Sequence, residues 1–353
     1  MGVIRDGRAV NMDGRLVGPA SGFMTSMGVT GYLSSNRARI SVIKTGSLGK
    51  PFEGRGDPVQ RSPQVSVVIV AFNSGPWLSE TVAHVLESTM DVAVVVSDNA
   101  SVDGSVQGVQ QRWGEDPRVS VVHHPRNLGF AKACNRALER IQSPYVLFLN
   151  PDCLVQPDTL QRMLQVLADV PEAGMAGCLI RNPDGSEQAG CRRWEPTPWR
   201  SLARVLHLNR LRPKDPRFRD FNMTWEPLPG GPIPVDAISG AFMLVRREAL
   251  DRVGPLDEGY FLHCEDLDWC RRFRDQGYQV LFVPDVEVTH RKGESSHARP
   301  VRVEWHKHRG MLRYYRKHLR KTYPGPVMAL VQVGVWGRFA LVALVLSVRR
   351  WWS

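Results

Sequence analysis

Four short runs carry side chains whose types and spacing could do chemistry. In the first, Tyr260-Phe261-Leu262-His263-Cys264-Glu265-Asp266, an aromatic and apolar stretch leads straight into acids. Acids complement a helix N-terminus, so dipole pairing alone would account for them. Neighbouring carboxylates placed after an apolar stretch would also be partly buried, with shifted proton affinities that suit general-base work. In the second run, Asn150-Pro151-Asp152 ends the hydrophobic segment Tyr145 to Leu149. An Asx-Pro turn is its plain reading. A carboxylate there could also hold Mg2+ or Mn2+, hard cations that combine few protein carboxylates with phosphate and water. The third, Ser97-Asp98-Asn99-Ala100-Ser101-Val102-Asp103-Gly104, follows another buried segment. Asp98 could accept from a base N–H and Asn99 or Ser101 could hold ribose, although the same residues cap helices and make turns. The fourth is His290-Arg291-Lys292-Gly293-Glu294-Ser295-Ser296. His290 could ligate a metal, and Arg291 and Lys292 could close over phosphates. A lone histidine after a strand is more often structural; in company with Asp152 and Asp266 the ligand reading gains.

The elements that must position these runs begin at Gln64. Val65 to Val70 is a β-branched strand, closed by turn residues from Ala71 to Pro76, and Trp77 to Ser88 has helical periodicity. Strands follow at Val92 to Val96, Val119 to His123 and Tyr145 to Leu149, with helices at Gly129 to Ile141 and Pro157 to Asp169. This alternation predicts an α/β fold, a parallel sheet with helices on both faces. Ligands of such sheets sit outside the carboxyl ends of the strands, where Asn73, Asp98-Asn99 and Asn150-Pro151-Asp152 stand. Residues 181 to 234, rich in Pro, Arg and Trp, read as a long insertion rather than core. Regular patterning returns at Val235 to Val245, in a helix from Leu267 to Gln276 and in a last strand from Gln279 to Val283.

A chain of 353 residues, 42% hydrophobic, can bury a core without disulfide or metal staples. The six cysteines form no C-x-x-C pair and no zinc spacing, and read as small core residues in a reducing compartment. The net charge of +11 favours an anionic partner. Lys and Arg crowd Arg299 to Lys321, directly before an apolar tail from Val327 to Val348, which suits a membrane surface better than a nucleic-acid groove. The tail is long enough to span a bilayer, but Arg338 near its middle would cost about 2.5–3.5 kcal/mol there, so an amphipathic or re-entrant helix is the preferred reading. Residues 1–62 lack a sustained apolar period and are expected to be a poorly ordered leader, with residues 63–300 the catalytic domain and 301–353 a basic helix and membrane-associating tail.

Together the motifs resemble family 2 glycosyltransferases of the GT-A fold, especially the rhamnosyltransferase-like branch. The matching text is V-S-V-V-I-V-A-F-N from Val65, D-N-A-S-V-D-G from Asp98, R-N-L-G-F-A-K-A-C-N from Arg126, and L-N-P-D from Leu149. S-G-A-F-M-L-V-R-R from Ser239, E-D-L-D-W-C-R-R from Glu265 and H-R-K-G-E-S from His290 complete it. The resemblance spans about residues 64–315. It implies an inverting enzyme that moves a sugar, with L-rhamnose from dTDP-rhamnose the first choice, from a dTDP- or UDP-linked donor to a lipid-linked or other saccharide acceptor in cell-envelope polysaccharide synthesis. Asp266 would be the base, with Ser239, Gly240 and Glu265 on the acceptor side. Ala71, Asn73, Asp98, Asn99, Ser101, Asn127, Gly129, Lys132, Asn150, Arg291, Lys292 and Ser295 would hold the donor. Asp152 and His290 would bind a divalent cation, Mg2+ or Mn2+. Many relatives carry an acid where Asn150 stands, which leaves one carboxylate on the metal here. The expected place is the cytoplasmic face of a bacterial inner membrane, peripheral or tail-anchored, with an anionic membrane surface and no nucleic acid as partner; a homodimer is compatible with the sequence. Two alternatives fit less. A nucleotidyltransferase would show a basic, glycine-rich loop after the first strand, where Phe72-Asn73-Ser74-Gly75-Pro76 stands. A nucleic-acid binder would leave the acidic strand ends unexplained.

Overall fold

Seven consecutive buried residues make β1 (Val65–Ala71), as a central strand covered on both faces requires. In the computed structural model, β1 lies between parallel β2 (Val92–Asp98) and β4 (Tyr145–Leu149), with β3 (Val119–His123) outside β2. Helices α1 (Trp77–Leu86), α2 (Ser105–Trp113) and α3 (Phe130–Leu138) make the crossovers. The structure describes residues 4–5, 8–9, 63–211, 215–291 and 300–352. Ile4–Arg5 and Arg8–Ala9 form a small antiparallel pair in a unit of their own, Met1–Val59. The rest of the expected leader lies outside the described residues.

After β4 come β5 (Cys153–Leu154), α4 (Thr159–Asp169) and β6 (Ala173–Arg181), then β7 (Arg192–Arg193) and α5 (Pro198–Val205). The chain continues through β8 (Ile233–Pro234), β9 (Ala237–Ile238), β10 (Phe242–Arg246), α6 (Arg247–Val253), α7 (Glu265–Asp275) and β11 (Gln279–His290). The nine-stranded sheet has the order β8-β11-β6-β10-β4-β1-β2-β3, with β5 paired to the far end of β11. It is mixed, not parallel as expected: β10 runs antiparallel between β4 and β6. Burial on both faces makes its composition look like that of the parallel strands around it.

Three further expectations are corrected. The sequence reading has no strand at β6, because two glycines dilute its apolar run. A Cβ at Gly174 would meet the Phe273 ring at 2.8 Å and one at Gly177 would meet Ile238 at 2.9 Å, so close packing requires both. Residues 181–234 are not a mere surface insertion: Cys191, Arg192 and Arg193 are buried, and β7 pairs with β9. The last strand does not stop at Val283. It passes a register irregularity after that residue and runs on to His290. The six cysteines are free and buried, as expected.

Beyond residue 300, α8 (Pro300–Tyr314) and a π-helical turn, Tyr315–Leu319, pack against the same core through Tyr314, Tyr315 and Leu319, so the basic helix is part of the catalytic body. Two cations of this stretch are paired with acids of the body. Arg313 and Lys317 both bind Asp257, and Lys317 also binds the fully buried Asp268. Two polar residues of the last helix, α9 (Gly325–Trp352), bond back to the preceding segment: Gln332 accepts from Arg316 at 3.2 Å and Arg338 reaches His308 at 2.7 Å. Its segment Gly325–Arg349 is long and apolar enough to cross a membrane, with a mean hydropathy of 1.9.

Candidate active site

At the carboxyl ends of β1 and β2, two loops are stitched together. Ala71 stands opposite Asp98, and its carbonyl accepts from the Asn99 N–H at 2.8 Å. Asn73, in the left-handed region at φ 51°, donates its N–H to Ser101 Oγ and accepts from the Val102 N–H. Asp98 is buried; one oxygen accepts from the Ser101 N–H, and the other lies 2.9 Å from His123 Nδ1. His123 is a neighbour of Asp98 that the sequence reading missed, because β3 had no motif to flag it.

Asn99 clamps the loop that follows. Its amide accepts from the Leu128 N–H and donates to the Gly129 carbonyl, both within the protein. Asn127 likewise caps the Gly129 N–H. Gly129 sits at φ 85°, and an added Cβ would lie 2.5 Å from the Phe261 carbonyl, so only glycine lets this loop touch the segment leading to α7. Lys132 pairs with Glu258 at 3.2 Å.

At the end of β4 the chain turns through Asn150-Pro151-Asp152. The Asn150 N–H donates to the Ala241 carbonyl, and β5 then pairs Cys153 with His290 at the tip of β11. This register brings together Asp152 and His290, 138 positions apart in sequence. His290 Nε2 lies 3.1 Å from Asp152 Oδ1 and 3.1 Å from Asn150 Nδ2. Its Nδ1 lies 2.7 Å from Gln188 Oε1, which fixes the ring with Nε2 turned toward Asp152 and Asn150. Gln188 is itself fixed, donating to the Asn182 side chain and the His290 carbonyl. Among the described residues, no three His, Cys, Asp or Glu side chains converge to hold a metal.

The third corner is the start of α7. Asp266 Oδ2 accepts from Arg193 Nη2 at 2.6 Å and from the Gly240 N–H at 3.1 Å, and Oδ1 accepts from the Leu267 N–H. Burial pushes this carboxyl up, but the Arg193 guanidinium and the N–H donors more than reverse it, so it is held below the usual carboxylate range. Glu265 goes the other way. Burial first and the Asp266 charge second push it up to about 8, and its Oε2 has no hydrogen-bond partner among the described residues. Arg193 also donates to the Ile238 carbonyl, so one side chain ties β7, β9 and α7 together. The sequence reading missed Arg193 altogether; the only signal was an Arg-Arg pair beside Cys191. Ser239 accepts from the Ala241 N–H and shapes the turn that presents Gly240.

Arg291 follows His290 beside α1. Its guanidinium lies 4.1 Å over the Trp77 ring, while its N–H donates to the Asp152 carbonyl. Lys292 and Ser295 lie outside the described residues.

Residues 66–254 match the sequence profile of glycosyl transferase family 2. The chain is 32% identical over 247 residues to the N-acetylglucosaminyl-diphospho-decaprenol L-rhamnosyltransferase of Mycobacterium tuberculosis, covering 67% of this chain and 78% of that one. It is 25% identical to the rhamnosyltransferase WbbL of Escherichia coli K12, over 64% of this chain and 83% of the relative. Among solved structures, a mannosyltransferase from Pyrobaculum calidifontis in complex with GDP-Man and Mn2+ aligns with a TM-score of 0.52 at 20% identity. That alignment covers 82% of this chain and 76% of the other, and it agrees with a GT-A fold.

Proposed function

This chain belongs to glycosyl transferase family 2, in its rhamnosyltransferase-like branch, and from that premise we propose that it transfers L-rhamnose from dTDP-rhamnose to a hydroxyl of a lipid-linked saccharide, with inversion. The observation that carries the mechanism is how the start of α7 holds its two acids. Arg193 and two backbone N–H groups orient the Asp266 carboxylate and hold its proton affinity down, whereas Glu265 is buried with its Oε2 unpartnered among the described residues and its proton affinity pushed up. Arg193, Gly240 and Leu267 hold the Asp266 carboxylate, which takes the acceptor's proton as that oxygen attacks the anomeric carbon. The bond to the diphosphate breaks on the opposite side, and the electron pair leaves with the diphosphate. A single displacement gives inversion.

The Asp98 carboxylate, steadied by His123, is the acceptor for the N–H of a thymine or uracil ring, and the Asn73–Ser101 stitch shapes the ribose side. Asp152 and His290, 3.1 Å apart, would hold a divalent cation, which when bound would supply positive charge beside the departing diphosphate. Arg291 and Lys292 follow His290 in the chain and add to that charge. The relatives' lipid-diphosphate acceptor and the apolar outer side of α9 support placement on the cytoplasmic face of a membrane, with α9 lying on the bilayer rather than crossing it. Crossing would draw Arg338 and its partner His308 into hydrocarbon.

The test is a panel of dTDP-, UDP- and GDP-linked sugars offered with a polyprenyl-diphosphate saccharide. Transfer from dTDP-rhamnose at a kcat/KM well above the rest is expected. Preference for a UDP- or GDP-sugar would overturn the donor assignment.

A further inference from the structure

Helix α5 ties its arginines to neighbouring groups and leaves its large apolar residues to solvent. Arg200 lies over the Trp194 ring and donates to the Glu195 carbonyl, and Arg204, its side chain still 43% exposed, lies over Phe221 and 3.6 Å from Asp220. Ala203 is buried. Its large apolar residues face outward: Trp199 is 48% exposed, Leu202 45%, Val205 45% and Leu206, just past the helix, 54%. Spacings of three and four residues put these four on one stripe. A soluble surface helix has the reverse arrangement. Trp199 also has a polar anchor, its Nε1 donating to the Arg217 carbonyl.

We infer that α5 is a second membrane-contact element, seating its Trp199–Leu202–Val205–Leu206 stripe in the interface of an anionic lipid bilayer. Charge argues for lipid over a protein partner. Residues 197–220 hold seven Lys and Arg against two acids, a basic excess of the kind found in interfacial helices that combine apolar insertion with attraction to anionic headgroups. Position argues the same way. Tyr315 bonds to Ser201 of α5 at 2.6 Å, and the next residue, Arg316, bonds to Gln332 of α9. The two exposed apolar stripes of this body, on α5 and on α9 at Leu330, Val333, Leu341, Leu344 and Val345, are therefore tied to one turn. The inference rests on the reading that the acceptor is carried on lipid. Two contacts would fix the orientation of the active site to the bilayer, where one helix would leave it free to swivel.

The experiment uses the full chain, whose native cysteines are buried, labelled with NBD at Leu202→Cys, Val205→Cys, Leu341→Cys on α9, or the exposed Glu248→Cys as control. On phosphatidylcholine–phosphatidylglycerol vesicles, the labels at 202 and 205 should brighten and be quenched by doxyl-labelled lipid, while that at 248 stays silent. Trp199→Ser combined with Leu202→Ser should lower vesicle partitioning by on the order of tenfold and leave donor hydrolysis unchanged. Silence at 202 and 205 with quenching at 341 would overturn the inference and leave α9 the sole contact. A response at 202 and 205 that follows protein concentration without vesicles would overturn it in favour of contact between copies. Silence at all three would overturn it as well, and transfer to a detergent-solubilised lipid acceptor then reports separately on the proposed function.

Discussion

Replacing Arg193 by methionine removes the charge that holds Asp266 while keeping most of the buried volume. The Arg193 and Asp266 side chains are 10% and 13% exposed and meet at 2.6 Å. Removing one partner of a buried pair costs about 3–5 kcal/mol, because the other charge is left buried. The Gly240 and Leu267 N–H groups still reach the carboxylate, so a loss near the lower end, about 3 kcal/mol, is expected at pH 7. The sign with pH follows from the depressed affinity of Asp266. Its contribution is present above the unfolded value of 3.8 and is lost as pH falls through the lower folded value, so the gap between the two proteins should close on strong acidification. In catalysis the effect appears as an acid limb: the limb set by Asp266 lies below the usual carboxylate range in the parent, and in Arg193→Met it should move upward. Urea unfolding at several pH values and kcat/KM against pH measure both. A loss below about 1 kcal/mol, outside the range for a broken buried pair, with an unmoved acid limb would refute the pairing.

Three further changes test other corners. Gly129→Ala forces a side chain into φ 85° against the Phe261 carbonyl; it should cost more than about 1 kcal/mol and raise the donor KM, and a neutral effect would remove the loop from the site. Gln188→Leu frees His290 Nδ1 and should weaken divalent-cation affinity by about 10–100-fold in calorimetry with dTDP present, whereas unchanged affinity would argue against His290 as a ligand. Glu265→Gln keeps the shape of a side chain already neutral when folded. It should stabilise the protein increasingly as pH rises from 4.5 toward 8, the window in which only the unfolded acid ionises; a flat difference in melting temperature across that window would contradict the assignment.

The parallel half of the fold was legible because β1 and β2 are β-branched runs, β4 is a short apolar one, and all three end in polar turns. β6 was not, since Gly174 and Gly177 are dictated by neighbours distant in sequence. The acids of the site could be named from local text. Their companions, Arg193, Gln188 and His123, could not, because each is brought in by strand register or loop closure rather than by spacing along the chain. Asn99 shows the converse, a motif residue that the fold also uses to clamp its own loop, which local text does not reveal.

The central claim is that Asp266, and not its neighbour Glu265, takes the acceptor's proton. Single-turnover transfer by Asp266→Asn and Glu265→Gln, with donor affinity measured alongside by titration, tests it most directly. Asp266→Asn should bind donor as the parent does and lose about 10²–10⁴-fold in transfer rate, while Glu265→Gln stays within a few fold of the parent. Near-parental transfer by Asp266→Asn, with abolition by Glu265→Gln, would contradict the account and exchange the two roles.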